Sequence, residues 1–208
     1  MLVKPLRQYR KTTTSAHYLK KHKDKVTGKE ITRPEQVWVS DITYIYNHNR
    51  HYYLSLITDA YSKKIMGYNL DVNLTAELAI KSLKKAITNR QYRLNLVHHS
   101  DRGSQYCSSA YQEILRHFGV RTSMTERYDP YTNAIAERVN GILKQEFLLE
   151  GRNCSLSEMK ILVKQAVEAY NNIRPHLSCN LLTPEKMHQQ NHLKRKEYKS
   201  QKSLIKQN

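Results

Sequence analysis

Three closely spaced segments between residues 37 and 72 constrain the fold of this chain more than any other feature. VWVSDITYIY (37–46), HYYLSLITDAY (51–61) and KKIMGYNLDV (63–72) are rich in β-branched and aromatic residues, which is typical of strands. NHNR, at 47–50, has the composition of a turn between the first two. Because the connections are so short, the three segments predict an antiparallel meander.

Helical and strand patterns alternate after this meander. Thr75 is a plausible helix N-cap, and apolar residues at helical spacing follow it. The predicted elements are a helix at 76–90, a strand at 94–100, a helix at 108–119, a strand at 120–124, and helices at about 133–149 and 156–170. Right-handed crossovers would add two parallel strands to the meander. The order predicts an α/β, ribonuclease-H-like fold: a mixed five-stranded sheet with helices on both faces.

The charge of the chain is strongly positive and concentrated near its ends. Lys and Arg number 35 against 18 Asp and Glu, a net charge of +17. Such an excess favours a polyanion such as DNA, although a basic protein of another kind, such as a ribosomal one, has a similar composition. We expect a basic arm or linker at 1–35, a catalytic core with a helical extension at 36–192, and a basic tail at 193–208.

The cellular setting is predicted from what the sequence lacks. The opening residues, MLVKPLRQYR, have no apolar stretch of the kind a secretory signal needs, and no apolar run reaches the length of a membrane span. The three cysteines are far apart and form no C-x-x-C pair. We therefore expect a cytoplasmic protein with reduced thiols.

Three acidic residues interrupt or end these elements. Asp41 lies within an otherwise apolar strand, where a charge is costly unless it is paired or binds a metal. Asp101 ends the strand LNLVHHS, and carboxyl ends of strands in α/β sheets are where sites collect. Glu137 lies on the polar face of a predicted helix, together with Asn133, Asn140 and Lys144. Each acid alone also fits a structural role: an edge strand, a turn or a solvated face.

Taken together, the three acids favour a metal site. Two strand-associated aspartates and one helix glutamate in a basic protein can converge on two Mg²⁺ or Mn²⁺ ions, because hard cations prefer carboxylate oxygens. Two such ions can assist the in-line displacement of a phosphoryl group.

The segments around these acids resemble the catalytic core of retroviral integrases and of the DDE transposases of bacterial insertion sequences. They are WVSDITYI, HHSDRGSQY and YDPYTNAIAERVNGILKQE. Asp101 and Glu137 have 35 residues between them, the spacing characteristic of that group. YNNIRPH followed by LLTPEKM resembles the end of such bacterial cores. The resemblance covers residues 34–190 and is nearest to a transposase encoded by the second reading frame of an insertion sequence.

The resemblance implies specific roles. Asp41, Asp101 and Glu137 would hold the metals, and Lys144 would contact DNA ends. Asn133 and Gln105 match positions that shape the site, and with Arg102 and Arg138 they are candidate DNA contacts. Arg138 departs from the family, in which Ser is common at this position. The implied partners are transposon-end and target DNA, further copies of the chain as a dimer or larger assembly, and the first-reading-frame product.

Two other functions remain open from the sequence. His99 and Arg102 form an H-x-x-R pattern with Tyr128 or Tyr131 downstream, which resembles tyrosine recombinases. Such enzymes are mainly helical around the site, whereas this chain opens with three predicted strands. A truncated or repurposed core that binds DNA without catalysis, or that regulates transposition, is the other alternative, because related transposases usually carry a longer N-terminal region.

Overall fold

A computed structural model describes residues 17–48, 50–126 and 130–190, and for Arg50 and residues 130–133 it describes the backbone alone. The strands are β1 Val37–Asn47, β2 Arg50–Asp59, β3 Ile65–Asp71, β4 Val97–Ser100 and β5 Arg121–Met124. The helices are α1 Ala76–Thr88, α2 Ser104–Cys107, α3 Ser109–His117, α4 Pro130–Gln145, α5 Leu156–Asn172 and α6 Pro184–His188, with a 3₁₀ turn at Leu177–Cys179. Within these described ranges, no helix is long and apolar enough to cross a membrane.

The five strands form one mixed sheet in the order β3-β2-β1-β4-β5. β1 pairs antiparallel with β2, and β2 pairs antiparallel with β3, which confirms the predicted meander. β4 pairs parallel with β1, and β5 pairs parallel with β4, as the crossovers require. The predicted ribonuclease-H-like sheet is confirmed.

Helices cover both faces of the sheet because successive side chains of a strand point in opposite directions. Trp38 and Ile42 of β1 pack with α1, α2 and α3 on one face. Ile45, from the opposite face of β1, packs with α4 and α5. On the first face, Gly67 of β3 lies so close to α1 that an added Cβ atom would be 2.2 Å from the carbonyl oxygen of Ser82. Only glycine permits this contact.

The ends of the helices are fixed by side-chain caps. The Thr75 hydroxyl accepts a hydrogen bond from the backbone N–H of Leu78, which confirms the predicted N-cap of α1. Ser155 and Glu158 form a reciprocal capping box at the start of α5. At its other end, the Asn171 side chain bonds both the N–H and the carbonyl of Ile65, which ties α5 to β3.

Several parts of the chain are more ordered than the sequence suggests. The short helices α2 and α6 were not predicted, because a single turn carries too little periodicity to detect. Residues 17–35, the described part of the predicted arm, pack onto the core through Val26 and Ile31, which are 3% and 4% exposed. Residues 1–16, and 191–208 with the predicted basic tail, lie outside the described part of the chain.

Candidate active site

Asp41 lies in the middle of β1 on the strand face that points toward α4. It is half-buried, and its Oδ2 accepts a 2.7 Å hydrogen bond from the side-chain amide of Asn140, a residue of α4. Its chain neighbour Ile42 points to the opposite face and packs with α1. An acid in this strand is therefore tolerated because one helix supplies a hydrogen-bond donor to it.

Strand register brings Asp101 beside Asp41. In the parallel pairing of β1 with β4, Val39 is opposite His99, and the two aspartates each follow two residues later. Neighbouring strands lie about 4.8 Å apart, so Asp41 and Asp101 are on adjacent strands at matching positions, close enough for the charge of Asp101 to act on Asp41. The backbone N–H of Gly103 donates a 2.9 Å hydrogen bond to Asp101 Oδ1, which helps to orient it.

Glu137 reaches the same area from α4. The helix is held on the sheet by Val139, Ile142 and Leu143, which are all buried, and this confirms the predicted apolar face of the helix. Glu137 is exposed and lies one turn before Asn140. Its negative charge acts on Asp41, as described next.

The pKa of Asp41 is raised from its ordinary value to about 7. Burial is the main cause, and the negative charge of Asp101 is the second. Glu137 also raises this pKa, whereas the backbone N–H of Ile42 and the Lys144 ammonium lower it. Asp101 and Glu137, both named from the sequence, thus each act electrostatically on Asp41.

The donor set suits a hard divalent cation. Carboxylate oxygens are its preferred ligands, and a positive ion would relieve the repulsion that raises the pKa of Asp41. The Oδ1 of Asn140 and the Oε1 of Gln105 are buried, and neither accepts a hydrogen bond within the described residues. Across the described ranges, no three His, Cys, Asp or Glu side chains form a group that could already hold a metal ion.

Lys144 lies beside this acidic group. Its ammonium is over the ring of Tyr44, 4.7 Å from the centroid, and 3.3 Å from Glu150. It is close enough to Asp41 to lower the pKa of that carboxyl. The helix face predicted to carry both Glu137 and Lys144 therefore brings a cation to the site.

The other predicted DNA contacts are placed differently. Gln105 is buried in α2, and Arg102 is half-buried with its carbonyl bonded to His17. Arg138 is exposed, and its charge acts on Glu146, whose pKa is lowered first by Arg174 and then by Arg138. Arg138 thus also influences the surface near the end of α5. The side chain of Asn133 lies outside the described part of the chain.

The tyrosine-recombinase pattern does not form a site in the described residues. His99 is buried within the sheet, where its ring nitrogens contact the hydroxyls of Ser123 at 2.9 Å and Thr125 at 3.1 Å. Both nitrogens are therefore used inside the fold. Tyr128, and the side chain of Tyr131, lie outside the described residues.

Asn140 is the site residue that the sequence did not single out. It was placed on the polar face with Glu137, but that face was not expected to be buried. Asn140 is in fact 6% exposed and bonds Asp41 directly. Its position three residues after Glu137, on the face with Lys144, was the available signal.

Two family matches span most of the chain. Residues 31–130 and residues 118–184 each match families described as integrase core domain. The 31 kDa insertion element IS600 protein of Shigella sonnei is 35% identical over 89% of this chain and 71% of its own length. The transposase InsF for insertion sequence IS3fB, from Escherichia coli K12, is 35% identical over 76% of this chain but only 55% of its own length.

Solved structures agree on the fold. The HTLV-2 integrase catalytic core domain in complex with magnesium, in a trimeric form, has a TM-score of 0.60 at 20% identity and covers 75% of this chain and 97% of its own. The simian T-cell lymphotropic virus intasome has a TM-score of 0.65 at 22% identity and covers 90% of this chain and 65% of its own. From the family matches and the bacterial relatives, the chain belongs to the insertion-sequence transposases that contain an integrase core domain.

Proposed function

We propose that this chain is a DDE transposase that cuts and joins DNA at the ends of a bacterial insertion sequence, with Asp41, Asp101 and Glu137 as its metal ligands. The observation that supports the proposal is the strand register of β1 and β4, in which Val39 is opposite His99, together with the charges of Asp101 and Glu137 that act on Asp41. The relatives are insertion-element proteins, and the chain spans 71% and 55% of the first two.

The reaction has two balanced steps. Water attacks a phosphodiester at the element's end, so that one P–O bond forms, one breaks, and a 3′-hydroxyl is freed. That 3′-hydroxyl then attacks a phosphodiester of target DNA, which again exchanges one P–O bond for another. No covalent link between protein and DNA is required. The proposed DNA partners are the element end and the target DNA. The proposed setting is the cytoplasm of a bacterium, on chromosomal or plasmid DNA.

Two Mg²⁺ or Mn²⁺ ions, when bound, would supply Lewis acidity that activates the attacking oxygen and stabilises charge on the phosphoryl group. The chain's own residues prepare this site. The Asn140 amide fixes the rotamer of Asp41 through its 2.7 Å hydrogen bond, and Gly103 does the same for Asp101 at 2.9 Å. Lys144 offers a cation for a DNA phosphate beside these acids.

Arg102, Gln105, Arg138 and Asn133 complete the proposed DNA contacts. Most such contacts in proteins go to phosphates and position the duplex without reading its sequence. We expect the active species to be a dimer or larger, because bridging two element ends requires more than one site. Participation of the first-reading-frame product is part of the same proposal, and light scattering with and without that product tests both.

A strand-transfer assay with the purified chain and labelled element ends tests the activity. We expect Asp41→Asn, Asp101→Asn and Glu137→Gln each to abolish product while leaving DNA affinity within about twofold. Glu113→Gln, which changes an exposed helix glutamate of α3, is the matched control and should keep full activity. Full joining by Asp41→Asn in Mg²⁺ would refute the assignment, and DNA binding by the wild type without any joining would favour the regulatory alternative.

A further inference from the structure

A cavity between the N-terminal segment, α3 and β5 is lined, among the residues that the structure describes, by cations and by no carboxylate. Its volume is about 470 Å³. Thr122 of β5 and Val120, which directly precedes this strand, form its floor, and residues of α3 form one wall. The other wall is the N-terminal strap, which we define as residues 17–31, and which contributes Leu19, Lys20, His22 and Lys25.

The strap is held in place by contacts of its backbone. The N–H of Lys25 donates a 2.8 Å hydrogen bond to the Ser123 hydroxyl, and the N–H of His22 contacts Met124 Sδ at 3.4 Å. Val26 is buried directly afterwards. The lysine side chains of the strap are therefore presented from a fixed backbone.

The charge in this cavity is uncompensated. Lys20 and Lys25 from the strap and Arg116 from α3 are exposed, and none forms an ion pair with a carboxylate in the described part of the chain. The pKa of His22 is lowered, first by burial and then by the charges of Lys20 and Lys25. The cavity thus attracts an anion.

One residue that lines the cavity lies near Asp101, because the Sγ of Cys107 is 3.9 Å from the carbonyl oxygen of Arg102, the residue that follows Asp101. Cys107, at the end of α2, lines the cavity. The pKa of its thiol is raised, first by burial and then by Asp101, and it is lowered by Lys21 and Arg102. Cys107 is therefore influenced both by an active-site acid and by a lysine of the strap.

The cavity is large enough for a ligand bigger than a phosphate ion. A volume of 470 Å³ lies within the range of about 300–1,000 Å³ that suits organic ligands. Leu19 and Val120 offer apolar surface for the face of a base, and the three cations offer partners for its phosphate. A base inside a duplex is stacked and paired, so only an unpaired nucleotide can enter such a cavity.

We propose that this cavity binds one unpaired nucleotide of the DNA strand that adjoins the reacting phosphodiester, with its phosphate at Lys20, Lys25 and Arg116. The proposal rests on the proposed function for the identity of the polymer. It gives the enzyme a means to hold a melted or single-stranded end, separate from the acids that carry the chemistry.

The test is a binding measurement by fluorescence anisotropy in EDTA, where no cutting or joining takes place. The probes are a blunt duplex and the same duplex with a three-nucleotide overhang, 5′ in one version and 3′ in another. We expect the full chain to bind one overhang about tenfold more tightly than the blunt duplex, the effect of about one stacked base. Lys20→Ala with Lys25→Ala should reduce that preference to less than about twofold.

Two further variants keep the test specific. Lys81→Ala with Lys84→Ala removes the same charge from exposed positions of α1, which packs on β3 at the other edge of the sheet, and should keep the tenfold preference. Ser109→Tyr changes no charge, fills the cavity at an exposed position, and should lose the preference while binding blunt duplex normally.

Three results would overturn the proposal. The wild type could show no preference, the strap variant could weaken both probes equally, or free dAMP could compete as strongly as the overhang, which would make the cavity a mononucleotide site. Because the assay needs no catalysis, an overhang preference without strand transfer would refute only the proposed function. Strand transfer without the preference would refute only this inference.

Discussion

Two groups of acids in this molecule have opposite electrostatic surroundings. The first is the active-site group around Asp41, and the second is a buried network formed by Glu35, Asp59, Ser62 and His188. All four members of the network are 0% exposed. They join the segment just before β1, the β2–β3 turn and α6, which are far apart in sequence.

Hydrogen-bond donors surround the acids of the buried network. Asp59 accepts hydrogen bonds from the N–H groups of Glu35, Tyr61 and Ser62 and from the Ser62 hydroxyl, at 2.7–3.1 Å. Glu35 accepts from the N–H groups of Gln91 and Tyr92 at 2.7 and 2.9 Å. Burial alone would raise the pKa of Glu35, but bonds from His188, Gln91 and Tyr92 outweigh it and lower the pKa.

Asp41 has negative neighbours instead. Among the described residues it receives one side-chain donor, from Asn140, and its pKa rises to about 7 because burial and the charge of Asp101 dominate. A buried acid surrounded by donors stabilises the fold in its ionised form. A partly buried acid beside other acids destabilises the fold unless a cation binds to it, and this is a property of metal sites.

Exchanging Asp for Asn in each group should separate activity from stability. Asp41→Asn should lower the rate of strand transfer by about 1,000-fold or more, because bound metal ions lower the activation barrier by several kcal/mol and the variant would lose a metal ligand. Its thermal unfolding midpoint without metal should stay the same or rise, because a repelled charge has been removed. Calorimetry in EDTA checks this, and a lower midpoint would mean that Asp41 is a structural acid.

Asp59→Asn should show the reverse pattern. In the wild type, N–H donors point at the Asp59 carboxylate, and in the variant the NH₂ of the new amide would meet them as a second donor. The free energy of unfolding should therefore fall by about 3–5 kcal/mol. Asp71→Asn, at the end of β3, is the control and should cost less than about 1 kcal/mol. Urea denaturation measures both, and a small loss at Asp59 would show that its four donors find other partners.

The pH dependence of stability should differ between Asp41→Asn and the wild type. Between about pH 4 and pH 7 the folded wild type keeps a proton on Asp41 that the unfolded chain has released, so its stability falls as pH rises and levels off above pH 7. The advantage of Asp41→Asn should therefore grow by roughly 2–4 kcal/mol over this window. Urea titrations without metal at pH 4.5 and pH 8 test it, and a constant difference would contradict the raised pKa.

Divalent metal should abolish much of that difference. At a Mg²⁺ concentration ten times the dissociation constant, the wild type should gain about 1.4 kcal/mol of stability. Asp41→Asn should gain little, and Asp71→Asn should respond as the wild type does. The measurement is the unfolding midpoint at pH 8 as Mg²⁺ is added, and an equal shift in Asp41→Asn would place the metal elsewhere.

The sequence predicted the elements better than it predicted their contacts. β1, β2 and α1 have clear periods of apolar residues, and Thr75 marks the start of α1 where it was expected. The strap has only isolated apolar residues, Val26 and Ile31, in a polar segment, so its packing leaves no periodic signal. Such contacts become visible only when the whole sheet is assembled.

The same limit applies to the two acid groups. The three candidate active-site acids were named from local motifs, but the proximity of Asp41 to Asp101 depends on the pairing of Val39 with His99, which no local pattern encodes. The buried network joins Glu35 to His188 across 153 positions. Only the fold reveals the four hydrogen bonds that Asp59 accepts.

Asn140 offers the finest test of the comparison, because it supplies the only side-chain donor to Asp41 that is recorded in the described residues. Asn140→Ala should raise the pKa of Asp41 further and loosen its rotamer. We expect kcat for strand transfer to fall about tenfold, the effect of one lost hydrogen bond to a charged group, with KM for DNA nearly unchanged. The pH–rate profile should also shift toward higher pH, which a purely structural role would not cause. Asn172→Ala, at an exposed asparagine of α5, is the matched control, and a fall in its kcat of equal size would remove Asn140 from the site.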